Sequence, residues 1–138
     1  MKNLIIKFLF TIFIINALIF AQQKRMMFDK LIEKKGTVYV SGEKKPYTGR
    51  VFDNYRNKGR KFTGAYRNGK KHGNWTYWKE NGKTDREESY SQGEKSGDWV
   101  YYSDDGIKEK LEKYQKGKDT GHKIYFYKNG KKEKEEFH

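Results

Sequence analysis

The chain has 138 residues, a net charge of +13, 17% aromatic residues, one proline and no cysteine. No disulfide can staple the fold and no thiol can act as a nucleophile, so stability has to come from packing alone. The excess of lysine and arginine draws the chain to anionic surfaces such as lipid headgroups, acidic polysaccharide or extracellular nucleic acid; lysine on sheet edges also keeps an exposed sheet soluble.

In chain order the first element is a leader. Lys2 and Lys7 precede an apolar run from Phe8 to Phe20 that ends at Ala21, before Gln22-Gln23-Lys24-Arg25. That is the layout of a secretory signal peptide. Leu4 to Ala21 is 18 residues and is interrupted by Lys7, Thr11 and Asn16, which makes it short for a transmembrane anchor. The expectation is cleavage near Ala21 and export to the periplasm, the cell surface or the medium. Residues 1–21 take two lysines and no acid with them, so +13 falls to +11.

Residues 22–48 form an N-terminal segment with lead-in strands. Met26, Met27, Phe28, Leu31 and Ile32 can form one face of a short helix ending at Gly36, since 27, 28, 31 and 32 fit a helical spacing, whereas Leu31 to Lys34 and Thr37 to Val40 fit two strands around Lys35-Gly36. The β-branched and aromatic run Val38-Tyr39-Val40 favours a strand over 37–40; residues 26–34 stay open between the two readings. Pro46 marks a turn or a sheet edge.

Residues 49–138 repeat with a period of 24. Gly49, Gly73, Gly97 and Gly121 keep that step, as do Gly69, Gly93 and Gly117, and Gly82, Gly106 and Gly130. Trp75 and Trp99 keep it too, with Tyr77, Tyr101 and Tyr125, with Tyr66, Tyr90 and Tyr114, and with Trp78, Tyr102 and Phe126. A fixed period of this length is the signature of a repeat protein whose units bury their faces only against neighbours. The units are 49–72, 73–96, 97–120 and a shortened 121–138.

Asn81-Gly82, Asp105-Gly106 and Asn129-Gly130 are hairpin turn signals, and the first copy, with Tyr55 to Gly59, has its glycine displaced by one and predicts a longer or bulged turn. A two-residue loop at Asn81-Gly82 sets Trp78 opposite Asp85, Tyr77 opposite Arg86, Trp75 opposite Glu88 and Gly73 opposite Tyr90. The predicted fold is all-β, an elongated single-layer antiparallel meander of hairpins. One face carries Trp75, Tyr77, Tyr90, Trp99, Tyr101, Tyr114, Tyr125 and Tyr127 as a structural ladder, with Tyr90 and Tyr114 covering the opposing Gly73 and Gly97. The other carries Trp78, Val100, Tyr102, Ile107, Leu111, Ile124, Phe126 and Phe137.

The pattern resembles the MORN-repeat variant of bacterial YwqK-family antitoxin-like proteins. The likeness rests on Pro46-Tyr47-Thr48-Gly49, on Asn68-Gly69-Lys70-Lys71-His72-Gly73-Asn74-Trp75 with Tyr77 and Asn81-Gly82-Lys83, and on their returns through Gly130-Lys131. It implies hairpins in a single-layer sheet that binds proteins or membranes. An antitoxin for a cytoplasmic toxin sits poorly with a signal peptide, and Lys123 stands where Trp75 and Trp99 do.

No catalytic constellation is legible. His72, His122 and His138 have no metal-ligand spacing, the acids read as solvated cross-strand partners of lysines, and Gly69-Lys70-Lys71-His72-Gly73 lacks a phosphate-loop pattern. The chain is therefore expected to be no enzyme and to hold no cofactor or metal. Two features remain for binding. One is the row of basic loops with Lys70, Lys71, Lys95, Lys116 and Lys118 along one sheet edge, suited to an anionic surface or a peripheral membrane contact. The other is the aromatic row Trp78, Tyr102 and Phe126, which nothing in a thin sheet obviously covers. The expected partner is a protein or an anionic cell surface, with nucleic acid disfavoured; an immunity-like protein that neutralises one toxin is the alternative.

Overall fold

Four dipeptides ending in glycine fold the chain back on itself. Lys35-Gly36, Asn68-Gly69, Gln92-Gly93 and Lys116-Gly117 all have positive φ at both residues, the conformation of a two-residue type I′ hairpin. The computed structural model describes residues 25–138, and the expected leader, 1–21, lies outside them. After β1 (Arg25–Met27) and a 3₁₀ turn (Phe28–Lys30), β2 (Leu31–Lys34) and β3 (Thr37–Val40) pair around Lys35-Gly36 as a separate two-stranded sheet. The strand reading of this segment holds, because a turn with positive φ at residues 35 and 36 leaves no helix ending at Gly36.

The main sheet runs β1-β4-β5-β7-β8-β10-β11-β12-β13. Its strands are β4 (Gly49–Asn54), β5 (Arg60–Arg67), β6 (Lys70–Lys71), β7 (Gly73–Trp78), β8 (Thr84–Ser91), β9 (Glu94–Lys95), β10 (Gly97–Tyr102), β11 (Lys108–Gln115), β12 (Lys118–Phe126) and β13 (Lys132–Glu136). Short β6 pairs with β5, and β9 with β8. The chain is thus all-β and meandering, with sequence neighbours side by side. One pair departs from the antiparallel rule: β1 lies parallel to β4.

The turns at the other end of the hairpins correct the sequence reading. Gly82 N–H donates to Lys79 O at 2.9 Å and Lys79 N–H to Lys83 O at 2.8 Å, and Gly82 has positive φ while Asn81 does not. This is a type I turn followed by a left-handed residue, a three-residue loop. Asn81 is used differently, its Oδ1 accepting from Lys83 N–H at 3.0 Å. The extra residue bulges the ladder after Tyr77, so Trp78 pairs with Thr84 and not Asp85, while Gly73↔Tyr90, Trp75↔Glu88 and Tyr77↔Arg86 stand as expected. The first copy has a turn of the same length, with the expected bulge in its ladder between Asp53 and Asn54. Lys58, at φ 66°, takes the place of glycine, with Tyr55 N–H bonded to Gly59 O and Lys58 N–H to Tyr55 O.

Gly73 and Gly97 serve another purpose than the one expected. Space for a side chain at Gly73 is open, and the nearest atoms to a Cβ at Gly97 belong to Ser89, so no tyrosine ring covers either. Their φ values of 71° and 65° break each strand between β6 and β7, and between β9 and β10. The glycine that a ring does cover is Gly64, where a Cβ would come within 2.2 Å of Trp75.

The hairpin tips stack in a row. Gly69 N–H donates to Tyr47 O, Gly93 N–H to Lys71 O and Gly117 N–H to Lys95 O, at 2.8 to 2.9 Å, and Val38 N–H closes the row on Gly69 O. Val38, Tyr47, Val51, Phe62, Tyr66 and Trp75 form the buried core at this end, and Phe28 meets Phe62 edge-on at 5.3 Å.

Candidate functional site

On the second face two series of side chains interleave. Trp78, Tyr102 and Phe126 sit on β7, β10 and β12, each beside a ladder bulge just before a turn. Arg60, Thr84, Lys108 and Lys132 follow the same 24-residue step on β5, β8, β11 and β13. Trp78 pairs with Thr84, Tyr102 with Lys108 and Phe126 with Lys132. Residues directly opposite one another are neighbours on the sheet, so aromatic and basic side chains alternate across seven strands, with Thr84 as the one uncharged member of its series. The Arg60 Cζ lies 5.7 Å from the Trp78 ring centroid and the Lys108 Nζ 4.6 Å from that of Phe126, within range of a cation–π attraction.

All three rings are half-buried. Tyr102 OH donates to Glu87 Oε2 at 3.0 Å; partial burial, then the bond to Glu87 and its charge, push the phenol pKa up. The Trp78 carbonyl accepts from Tyr55 OH at 2.7 Å. The basic series was missed in the sequence, although its constant step was a readable signal.

The lysines of the hairpin tips divide into two groups. Lys70 Nζ donates to Gly36 O. Lys71 Nζ sits 4.3 Å from the Trp75 ring centroid and 4.6 Å from that of Tyr90, and donates to Tyr77 OH at 2.9 Å. Burial lowers its ammonium pKa, against the pull of Glu88 in the other direction. Lys95 Nζ lies 4.0 Å over Trp99 and 4.5 Å over Tyr114. Lys116 and Lys118 are exposed. Stacking does place the tips along one edge, but Lys70, Lys71 and Lys95 are spent on internal contacts.

The first face holds a ladder of rings: Tyr66–Trp75 at 5.2 Å, Trp75–Tyr90 at 6.4 Å, Tyr90–Trp99 at 5.4 Å and Trp99–Tyr114 at 5.1 Å between centroids. Gly49 is buried at its N-terminal end, and Gly121, at φ 76°, lies near its C-terminal end, where Tyr125 carries the Lys134 ammonium 4.3 Å over its ring. Two acids in this face are not solvated as expected. Glu88 and Glu112 are 6% and 8% exposed, because the neighbouring rings close over them. Glu88 accepts from Arg86 Nε at 2.7 Å and Tyr90 OH at 2.9 Å. Glu112 has Lys110 Nζ at 3.0 Å and accepts from Tyr101 OH at 3.0 Å and Tyr114 OH at 3.1 Å. Burial pushes the Glu112 carboxyl up, but these bonds outweigh it and hold the pKa below the usual range. Both carboxylates tie phenols and cations of their own face together, which is structural work.

Among the described residues no three side chains of His, Asp or Glu converge as a metal site. His122 Nε2 meets Glu135 Oε1 at 2.5 Å, and its ring stacks on Phe137 at 4.5 Å. No family model, no curated protein and no solved structure matches the chain.

Proposed function

We propose that the protein is a non-enzymatic interaction module, exported, whose second face engages a protein or cell-surface partner while its basic charge concentrates it at anionic surfaces. The observation that carries this reading is the alternating row of Trp78, Tyr102 and Phe126 with Arg60, Lys108 and Lys132. Aromatic side chains and arginine are enriched where protein surfaces bind, and half-buried rings present apolar area while their scaffold stays rigid. The likeness to MORN repeats accords with a binding role, and Lys116 and Lys118 add exposed charge at the stacked tips.

The test is co-sedimentation of the full-length protein with phosphatidylglycerol vesicles at low and high salt, beside a variant with Trp78, Tyr102 and Phe126 replaced by serine. Binding at low salt that weakens with salt and falls in a still-folded triple variant supports the reading. Absence of binding at low salt removes the anionic-surface part. Collapse of the triple variant, seen by circular dichroism, makes those rings core instead of contact.

A further inference from the structure

The second face contains two concavities related by one repeat, and their chemistry is opposite. The first, about 510 Å³, is lined by Arg50, Arg60, Thr63, His72 and Asn74, and no carboxylate lines it. The second, about 560 Å³, includes Asn74, Glu87, Ser89 and Asp98. Residue for residue along the 24-step, Arg50 becomes Asn74, Thr63 becomes Glu87, Ala65 becomes Ser89 and Asn74 becomes Asp98. The backbone makes the same hollow twice, so the charge in the first is a choice of side chains and not a consequence of the fold.

Arg50 and Arg60 also face this hollow without a carboxylate of their own. Most bases on β7 to β13 have an acid or a ring of their own, as Lys79 has Asp104, Arg86 has Glu88 and Lys110 has Glu112. Among the described residues neither Arg50 nor Arg60 forms an ion pair; Arg60 has only the ring of Trp78. Both are exposed and lie at one hollow. His72, on the same wall, keeps a buried Nδ1 with no hydrogen-bond partner among the described residues, and a buried polar atom without a partner calls for an explanation.

We propose that the Arg50–Arg60 hollow is a subsite for the oxyanion of an acidic saccharide, a carboxylate, sulfate or phosphate carried on a sugar ring. Two guanidinium forks match the paired oxygens of such groups better than point charges do. Thr63 and Asn74 add neutral donors and acceptors suited to sugar hydroxyls. The inference rests on the proposed binding role and names the ligand class for that face.

The experiment is titration calorimetry of the full-length protein with tetragalacturonate, with neutral maltotetraose as control and phosphatidylglycerol vesicles as a separate arm. Arg50→Gln and Arg60→Gln should each weaken tetragalacturonate binding by about tenfold, the worth of a lost charge-assisted contact. The pair Arg50→Asn with Thr63→Glu, which imports residues of the second hollow, should abolish it. The pair Lys116→Gln with Lys118→Gln removes two charges elsewhere and should weaken it no more than about threefold, as a screened exposed charge does. Equal losses from arginine and lysine variants would overturn the subsite, as would equal affinity for maltotetraose. If vesicles bind and tetragalacturonate does not, the subsite fails while the wider reading stands; if neither binds at low salt, the subsite fails together with the anionic-surface part of that reading. Circular dichroism of the exposed arginine variants keeps folding apart from binding.

Discussion

The first copy and the copies after it share one backbone and bury opposite kinds of chemistry on it. Along the 24-residue step β5 carries Phe62, Gly64 and Tyr66, β8 carries Arg86, Glu88 and Tyr90, and β11 carries Lys110, Glu112 and Tyr114. The first copy is covered from outside: Phe28 packs on Phe62, and Val38 and Tyr47 close the core. Among the described residues the later copies have no such cover, and the position of Tyr47 passes to Lys71 and Lys95, whose ammonium groups lie over rings of the following repeat. A sheet face has to be shielded by another element or made of side chains that satisfy one another. This chain does the first at its N-terminal end and the second further on, where long amphipathic side chains serve as a lid.

Trp75 belongs to both regimes, stacked on Phe62 at 5.7 Å and meeting Tyr90 at 6.4 Å. Trp75→Ala is therefore expected to cost the most, about 3–5 kcal/mol, the usual range for deleting a buried large aromatic. Urea unfolding followed by the fluorescence of Trp99 would show both regions weakened together; a loss confined to residues before β7 would mean that the two regions are uncoupled. Glu88→Ala should come next, at about 2–3 kcal/mol. It leaves Arg86 and Lys71 without their carboxylate, and breaking a buried pair one-sidedly costs up to about 5 kcal/mol when both groups are dry. Arg86 keeps Asp85 at 2.7 Å and a third of its surface exposed, which reduces the loss. The same change made at Glu112 should cost a similar amount, since Lys110 and Arg86 are equally exposed.

Gly64→Ala sharpens the comparison from the other side. Position 64 is glycine because Trp75 lies across it, whereas positions 88 and 112 carry glutamate. A methyl within 2.2 Å of the indole forces the ring or the strand to move, at about 1–3 kcal/mol. Urea midpoints of Gly64→Ala and Trp75→Ala made singly and together would test the contact, and the double variant should lose less than the sum of the two.

The repeat period, the strand series, the two faces and the register from Gly73 to Tyr77 were legible in the sequence, since glycine and aromatic spacing encode them directly. The turn at Asn81-Gly82 was misread because the dipeptide serves two turn types that differ by one residue, and only the backbone tells them apart. Asn68-Gly69 is the same dipeptide in the other type. The burial of Glu88 and Glu112 was also hidden, because a strand of alternating charge reads as solvated until the rings around it are placed. The Arg50–Arg60 hollow was missed for a related reason: its residues come from three strands and share no motif.

Acid separates the two regions without any substitution. The Glu112 pKa is held below the ordinary glutamate value, so folding favours its ionised form; that contribution is present at neutral pH and is lost as pH falls through the folded-state value. Among the described residues the first copy buries no carboxylate. Below about pH 4, near the unperturbed glutamate value, the amides of β11 around Glu112 should lose protection before those of β4 and β5. Hydrogen exchange read by mass spectrometry would show it, and coincident losses would contradict it. In alkali the order should vanish, because burial raises Tyr66 in the first copy and Tyr114 in the third alike to about 12. These phenols stabilise the fold below their unfolded value, and their contribution is lost as pH rises through the folded one.

The smallest expected effect concerns the turn that distinguishes the first copy. Lys58 holds φ 66° where Gly82, Gly106 and Gly130 hold 82°, 79° and 78°. A side chain in the left-handed region costs about 1–2 kcal/mol, and the hydrogen bonds Lys58 N–H to Tyr55 O and Gly59 N–H to Asn57 Oδ1 hold it there. Lys58→Gly removes that strain but also loosens the unfolded chain, a penalty of about 0.4–1 kcal/mol. The difference leaves a gain of about 0.5 kcal/mol. Gly82→Lys, at a turn of the same geometry, should lose a similar amount, and a pair of urea midpoints measures both. Opposite shifts of equal size would establish that the first turn differs from the others in its side chain alone, so that its lysine is tolerated strain on a shared backbone. A loss from Lys58→Gly would show instead that Lys58 makes a contact worth more than its strain.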